Sequence, residues 1–171
     1  MATYGSVSVA SCASGVSSVT IGAANAANGV TETTLFSAIL PFGILGVTGS
    51  NCHVRMQGIA SATVVPPTLT LRLKYGSSSI CTLAAAPPSN ASNLGWAYTG
   101  DITTQTLNTV QGQAWFLYPL TPQGNHCGNT NAQTITTGGT VTVSITGQWG
   151  VSTAGNSFTM TNTLINVEGN F

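Results

Sequence analysis

Residues 69–75 read Leu-Thr-Leu-Arg-Leu-Lys-Tyr, and this stretch decides the fold. Apolar Leu69, Leu71, Leu73 and Tyr75 interleave with Thr70, Arg72 and Lys74. A strict period of two is the mark of a strand with one buried face. Gly76 and the serines after it supply the turn. The pattern recurs outward from there. Val141, Val143, Ile145 and Trp149 alternate with Thr142, Ser144 and Thr146 after the Gly138-Gly139 turn. Cys52, Val54 and Met56 oppose His53, Arg55 and Gln57, and Trp96, Tyr98 and Ile102 share one parity. Further strands are expected at Ser6–Ser11, Ser17–Ile21, Thr33–Leu40, Ser79–Leu83, Gln113–Tyr118 and Ser157–Val167. Helical periodicity is almost absent, and Gly22–Gly29 reads better as loop than as a helical turn. Pro66-Pro67, Pro87-Pro88 and Pro119–Pro122 punctuate connections. About ten short strands with regular turn signals predict an all-β sandwich or barrel. The clean alternation predicts antiparallel sheets, because parallel ones give unbroken apolar runs.

Composition narrows the function classes. Only Glu32, Arg55, Arg72, Lys74, Asp101 and Glu168 carry a formal charge, 4% of 171 residues. An ordinary soluble domain is roughly a quarter charged. The chain is nonetheless 42% hydrophobic and rich in β-branched residues, so it has the material for a core, unlike a disordered segment. A net charge of zero favours self-association. Three cations neutralise too few phosphates for a dedicated nucleic-acid binder. Met1–Gly15 lacks the basic and apolar regions of a secretory signal. The longest apolar run, Leu35 to Val47, is short of a bilayer span and is broken by Pro41 and Gly43. The expectation is a protein with neither a nucleic-acid nor a membrane partner.

Chemistry-bearing sets are thin. A glycosidase needs two carboxylates about a bond, and only Glu32, Asp101 and Glu168 exist. His53 or His126 with Asp101 is formally part of a Ser–His–Asp set, but no G-x-S-x-G elbow is present. No glycine loop reads as a phosphate cradle. Cys52-His53 and His126-Cys127 are mirrored dipeptides. Neighbours on a strand point to opposite faces, which argues against one shared metal. No catalytic, cofactor or metal residues are therefore expected. Cys12, Cys52, Cys81 and Cys127 are candidate disulfide residues with three possible pairings. Buried free thiols are the simpler reading for Cys52 and Cys81; a Cys12–Cys127 bridge would pin the N-terminal segment to the Gly/Asn-rich loop. Trp96, Tyr98, Trp115, Phe116 and Tyr118 invite a sugar-stacking reading, although alternating strand aromatics mostly form core. Arg55, Arg72 and Lys74 lie on polar strand faces and are candidate interface residues, with Glu32, Glu168 or a neighbouring subunit as partners.

Two segments carry a family resemblance. TETTLFSAILPFGILGVTGSNCHVRMQGIASA (31–62) with PTLTLRLKYGSSSI (67–80), and TVTVSITGQWGVSTAGNSFTMTNTLINVE (140–168), resemble small virion proteins of tailed bacteriophages. The shared features are a TLFS strand, a Pro then Leu-Gly turn, an Arg-bearing strand ending in Gly, and a closing Gln-Trp strand. The likeness covers about Thr31–Ser79 and Gly139–Glu168; the four cysteines and the first thirty residues depart from the pattern. It implies an antiparallel β-sandwich of jelly-roll type over residues 31–171, preceded by residues 1–30 as an N-terminal arm or edge strands. It also implies a non-enzymatic structural role: a capsid decoration (cement) protein on an icosahedral phage head, assembled in the host cytoplasm. A homotrimer contacting the major capsid protein is the expected state. The alternative is a tail or fibre component binding host-surface glycans.

Overall fold

The computed structural model describes residues 4–11, 19–22, 30–40, 45, 48–106, 109–117, 125–128, 133–134 and 140–170. Twelve strands are present among them: β1 (Tyr4–Ser11), β2 (Val19–Gly22), β3 (Thr33–Leu40), β4 (Asn51–Ser61), β5 (Leu69–Tyr75), β6 (Ser78–Ala85), β7 (Leu94–Thr106), β8 (Thr109–Leu117), β9 (Asn125–Gly128), β10 (Gln133–Thr134), β11 (Val141–Trp149) and β12 (Ser157–Asn170). No described residue is helical.

The strands form two sheets in which every pair is antiparallel. The larger, sheet A, runs β1-β12-β4-β7-β8-β10; β2 also pairs β12, and β9 also pairs β8. Sheet B runs β3-β11-β5-β6. The chain crosses between sheets at β2–β3, β3–β4, β4–β5, β6–β7, β10–β11 and β11–β12. The β1–β2 pair, the β5–β6 hairpin and the run from β7 to β10 each stay in one sheet. The late strands β12 and β11 each slot between an early strand and a middle one. This order, β1-β12-β4-β7 facing β3-β11-β5-β6, is the double Greek key of a jelly roll. The expected fold class is therefore the observed one. In the first thirty residues, β1 and β2 follow one another along the same edge of β12. One side of each is thus committed to the chain's own sheet. Residues 1–3, 12–18 and 23–29 lie outside the described residues.

Alternation sets the core. Leu69, Leu71, Leu73 and Tyr75 all point inward from β5, and Val143, Ile145 and Trp149 meet them from β11. Val54 and Met56, Trp96 and Tyr98, and Ile165 and Val167 line the opposing sheet, in one continuous apolar cluster. A bulge between Met160 and Asn162 in β12 switches the inward parity from Phe158 and Met160 to Thr163, Ile165 and Val167. An extra residue in one strand does this by turning every later side chain over.

Candidate binding face

The outer face of sheet A gathers most of the chemistry that the sequence offers. Inward residues of β4 are Cys52, Val54 and Met56, so His53, Arg55 and Gln57 project outward. Antiparallel register sets Thr99 and Asp101 of β7 beside Arg55 and His53, and Trp115 and Gln113 of β8 beside those. On the other flank Leu164 and Asn166 of β12 face Arg55 and His53. Cys52 and His53 thus point to opposite sides of the sheet, and no group of three metal-ligating side chains occurs among the described residues.

His53 and Asp101, 48 residues apart, form a close Nδ1–Oδ1 pair. The ring's other nitrogen lies 3.2 Å from Asn51 Nδ2. Thr103 Oγ1 donates to Asn51 Oδ1 at 3.1 Å, and Gln113 Nε2 donates to Asp101 Oδ2 at 3.4 Å. These bonds are mutually consistent for one tautomer: Nδ1–H donates to the carboxylate, and Nε2 accepts from the amide. The imidazole–carboxylate half of a Ser–His–Asp set is therefore assembled. Where such a set would hold its nucleophile, Nε2 meets an amide instead. The arrangement fixes a rigid polar patch across three strands.

Along this face runs a trough. Its wide end, of about 450 Å³, is lined by Gln57, Ala97, Leu117 and Thr161. A middle section of about 260 Å³ shares Gln57 and Ala97 with it and adds Arg55, Thr99 and Leu164. A polar end of about 130 Å³ lies between Arg55, Leu164, His53 and Asn166. The trough exists because β7 presents Gly95, Ala97 and Thr99 outward, while β8 and β12 raise Leu117 and Leu164 on either side. Of the aromatics, Trp96, Tyr98 and Phe116 are core, with Trp96 stacked on Phe158 at a centroid distance of 4.2 Å. Trp115 is half-buried on the outer face, and Tyr118 lies outside the described residues. Small outward residues at alternate positions of β7 were the sequence signal for this trough, and that signal went unread.

The other two cations sit on sheet B and are used internally. Lys74 Nζ donates to Glu32 Oε1 at 3.0 Å, and Thr146 Oγ1 donates to the same oxygen at 2.6 Å. Arg72 Nη1 lies 3.8 Å from Glu32 Oε2, an ion pair beyond hydrogen-bond reach. The Thr146 hydroxyl first, and Lys74 next, hold the Glu32 carboxyl below its ordinary range. Arg55, on the opposite sheet, has no carboxylate partner among the described residues. The side chain of Glu168 lies outside them.

The cysteines divide. Cys52 is free and fully buried, and burial, with the nearby Asp101 charge, pushes its thiol up to about 12. Cys81, also inward, is disulfide-bonded. Cys52 as a bridge residue and Cys81 as a free thiol are both corrected. The strand neighbours of Cys52 are Ile102 and Val167, and a bridge needs a second sulfur within a Cα separation of about 7 Å. Cys12 and the side chain of Cys127 lie outside the description. Among the described residues, then, one cysteine is free and one is bridged. Unreduced chain denatured in guanidinium should therefore titrate two thiols with a disulfide reagent, rising to four after reduction. In native chain Cys52 should resist alkylation, since the thiolate is the nucleophile. Four thiols before reduction would remove the bridge; none would restore Cys52 to one.

The geometry defines a jelly-roll sandwich with an open, side-chain-lined trough on one face. No protein-family model matches the chain, and no curated protein matches it either. Solved structures similar to it include arcelin-5, a lectin-like defense protein from Phaseolus vulgaris, with a TM-score of 0.46, 9% identity, and 97% of this chain and 99% of that one covered. The CBM2 module of the evolved Dit of Lactobacillus casei BL23 phage J-1 aligns at a TM-score of 0.37 and 10% identity, over 76% and 67% of the two chains. The VP2 subviral particle of infectious bursal disease virus aligns at 0.37 and 13%; this chain is covered to 98% but spans only 33% of that one. The jelly-roll assignment rests on the strand order.

Proposed function

We propose that this chain is a non-enzymatic structural protein of a virus particle. In the specific form it is a decoration protein, bound as a homotrimer to the major capsid protein on the outside of an icosahedral phage head. The observation that carries the reading is the uncharged end of the sandwich. Val64 and Val65 in the β4–β5 loop, Val151 in the β11–β12 loop and Val30 before β3 are all exposed. The loops are tied together there. Thr63 N donates to Asn156 Oδ1 at 2.9 Å, Gly150 N to the Thr68 carbonyl at 2.7 Å, and Gln148 Nε2 to the Val30 carbonyl at 2.6 Å. Residues 62–68 and 150–156 contain no charge. A braced apolar end on a nearly ion-free protein is suited to permanent contact with a neutral partner surface. Such a contact adds stability to a shell without catalysis or cofactor.

Locating the chain in purified particles by electron microscopy tests the reading directly. Particles stripped of it should rebind added chain equally well at low and at molar salt, because a neutral interface has little charge to screen. Val65→Asp should reduce rebinding at least tenfold while leaving the melting temperature unchanged. Finding the chain at the tail tip, or nowhere on the particle, would remove the decoration role. Collapse of rebinding at molar salt would shift the contact to Arg55.

A further inference from the structure

We infer that the trough on the outer face of sheet A is a saccharide-binding site, occupied by a short oligosaccharide lying along β4. This is independent of the virion reading and uses a different surface from the valine-bearing loop end. Four properties of the trough select the ligand class. Its long axis runs from Gly58 to His53, five residues, or roughly 17 Å at the rise of a strand. That is a length for several linked rings rather than for one small molecule. Its floor is of small side chains and its walls are Leu117 and Leu164, so a ligand with apolar faces is wanted. Its polar groups are Gln57, Thr99, Thr161 and Asn166, neutral side chains that match hydroxyls, with Arg55 alone charged. A few placed polar groups in an otherwise apolar concavity is the general form of a small-molecule site.

The competing occupants fit less well. A peptide strand recognised by its backbone needs an open sheet edge. This trough lies over β4 and β7, both paired on each side within the sheet. A nucleic acid needs many cations, and the trough has one. One detail points to a ligand more directly. Arg55 is the cation without a carboxylate partner among the described residues, and its planar fork suits two adjacent hydroxyls or a sugar carboxylate. The His53–Asp101–Gln113 network holds the polar end rigid, so the site is ordered before a ligand arrives.

The experiment displays the full chain multivalently and applies it to an array of neutral and of uronate- or sialate-bearing oligosaccharides. At least one probe should bind. Ala97→Trp, which fills the floor from an exposed position, and Arg55→Ala should each weaken that binding at least tenfold with melting temperatures held within about 2 °C. Should Ala97→Trp disturb folding, Arg55→Ala alone decides. Binding confined to the acidic probes, and falling with salt, assigns a sugar carboxylate to Arg55; binding to neutral probes assigns hydroxyl pairs. A blank array, or binding untouched by both variants, overturns the inference and leaves the decoration reading standing. A blank array together with loss of particle rebinding by Ala97→Trp would make the trough a protein contact, which also overturns it.

Discussion

Leu71→Ala should lower the free energy of unfolding by about 2–5 kcal/mol, whereas Thr70→Ala should change it by less than about 0.5 kcal/mol. The two residues are neighbours on β5, a strand paired on both sides within sheet B. Leu71 is 2% exposed and faces the core, while Thr70 is half-buried on the outer face between Gln148 and Ala84. Removing the isobutyl group costs its transfer free energy and adds a term for whatever cavity remains. The cavity should persist here, because the residue opposite Leu71 on β11 is Gly147. A glycine has no side chain to swing into the gap. Leu83, opposite on β6, is itself buried and packed, so the loss belongs in the upper half of the range. Urea titration of both variants measures it. Equal losses would mean that β5 has the wrong face inward, since a one-residue slip exchanges the two sides.

That register was legible because β5 has no bulge on its β11 side and one face is wholly apolar. The same holds for β4, where parity alone separated Cys52 from His53. Legibility failed where an extra residue entered a strand. In β12 the switch at Thr161 makes Phe158 and Ile165 both inward although they differ in parity. In β6 the register shift between Leu73 and Lys74 leaves Ile80 and Cys81 both buried. A simple period-two count cannot follow either. Short β9 and β10, of four and two residues, gave no signal because they are too brief to alternate. The face itself was half readable. Trp115 and Phe116 are adjacent, so one of them had to face outward, and Gly95, Ala97 and Thr99 marked where the surface would sink. The pairing of His53 with Asp101 was not readable, because it depends on β4 and β7 being neighbours in exact register across 48 residues. Nor could sequence separate Cys52 from Cys81: both point inward, and only the distance to another sulfur distinguishes them.

Gly58→Ala should be as damaging as a core truncation, for the opposite reason. Gly58 lies on the inward parity of β4, opposite Trp96 on β7 and Met160 on β12. A Cβ there would fall on the Thr159 carbonyl oxygen and come within 2.6 Å of Trp96 Cζ2. The indole therefore occupies the space that a side chain would need. It has little room to retreat, being stacked on Phe158 at 16° between planes and tilted against Phe116 at 5.9 Å. The carbonyl belongs to the β12 backbone two residues before its bulge, so relief requires moving a strand and not merely a rotamer. Overpacking of a dense core typically costs about 1–3 kcal/mol and more where backbone must shift; about 3 kcal/mol or greater is expected. Near-UV circular dichroism should change in parallel, because the Trp96–Phe158 stack is what the methyl displaces. Gly95→Ala provides the control: it faces outward with nothing within 4 Å of its added Cβ, and should be neutral or slightly stabilising. Should Gly58→Ala melt with Gly95→Ala and keep the native aromatic spectrum, the indole does not lie over Gly58.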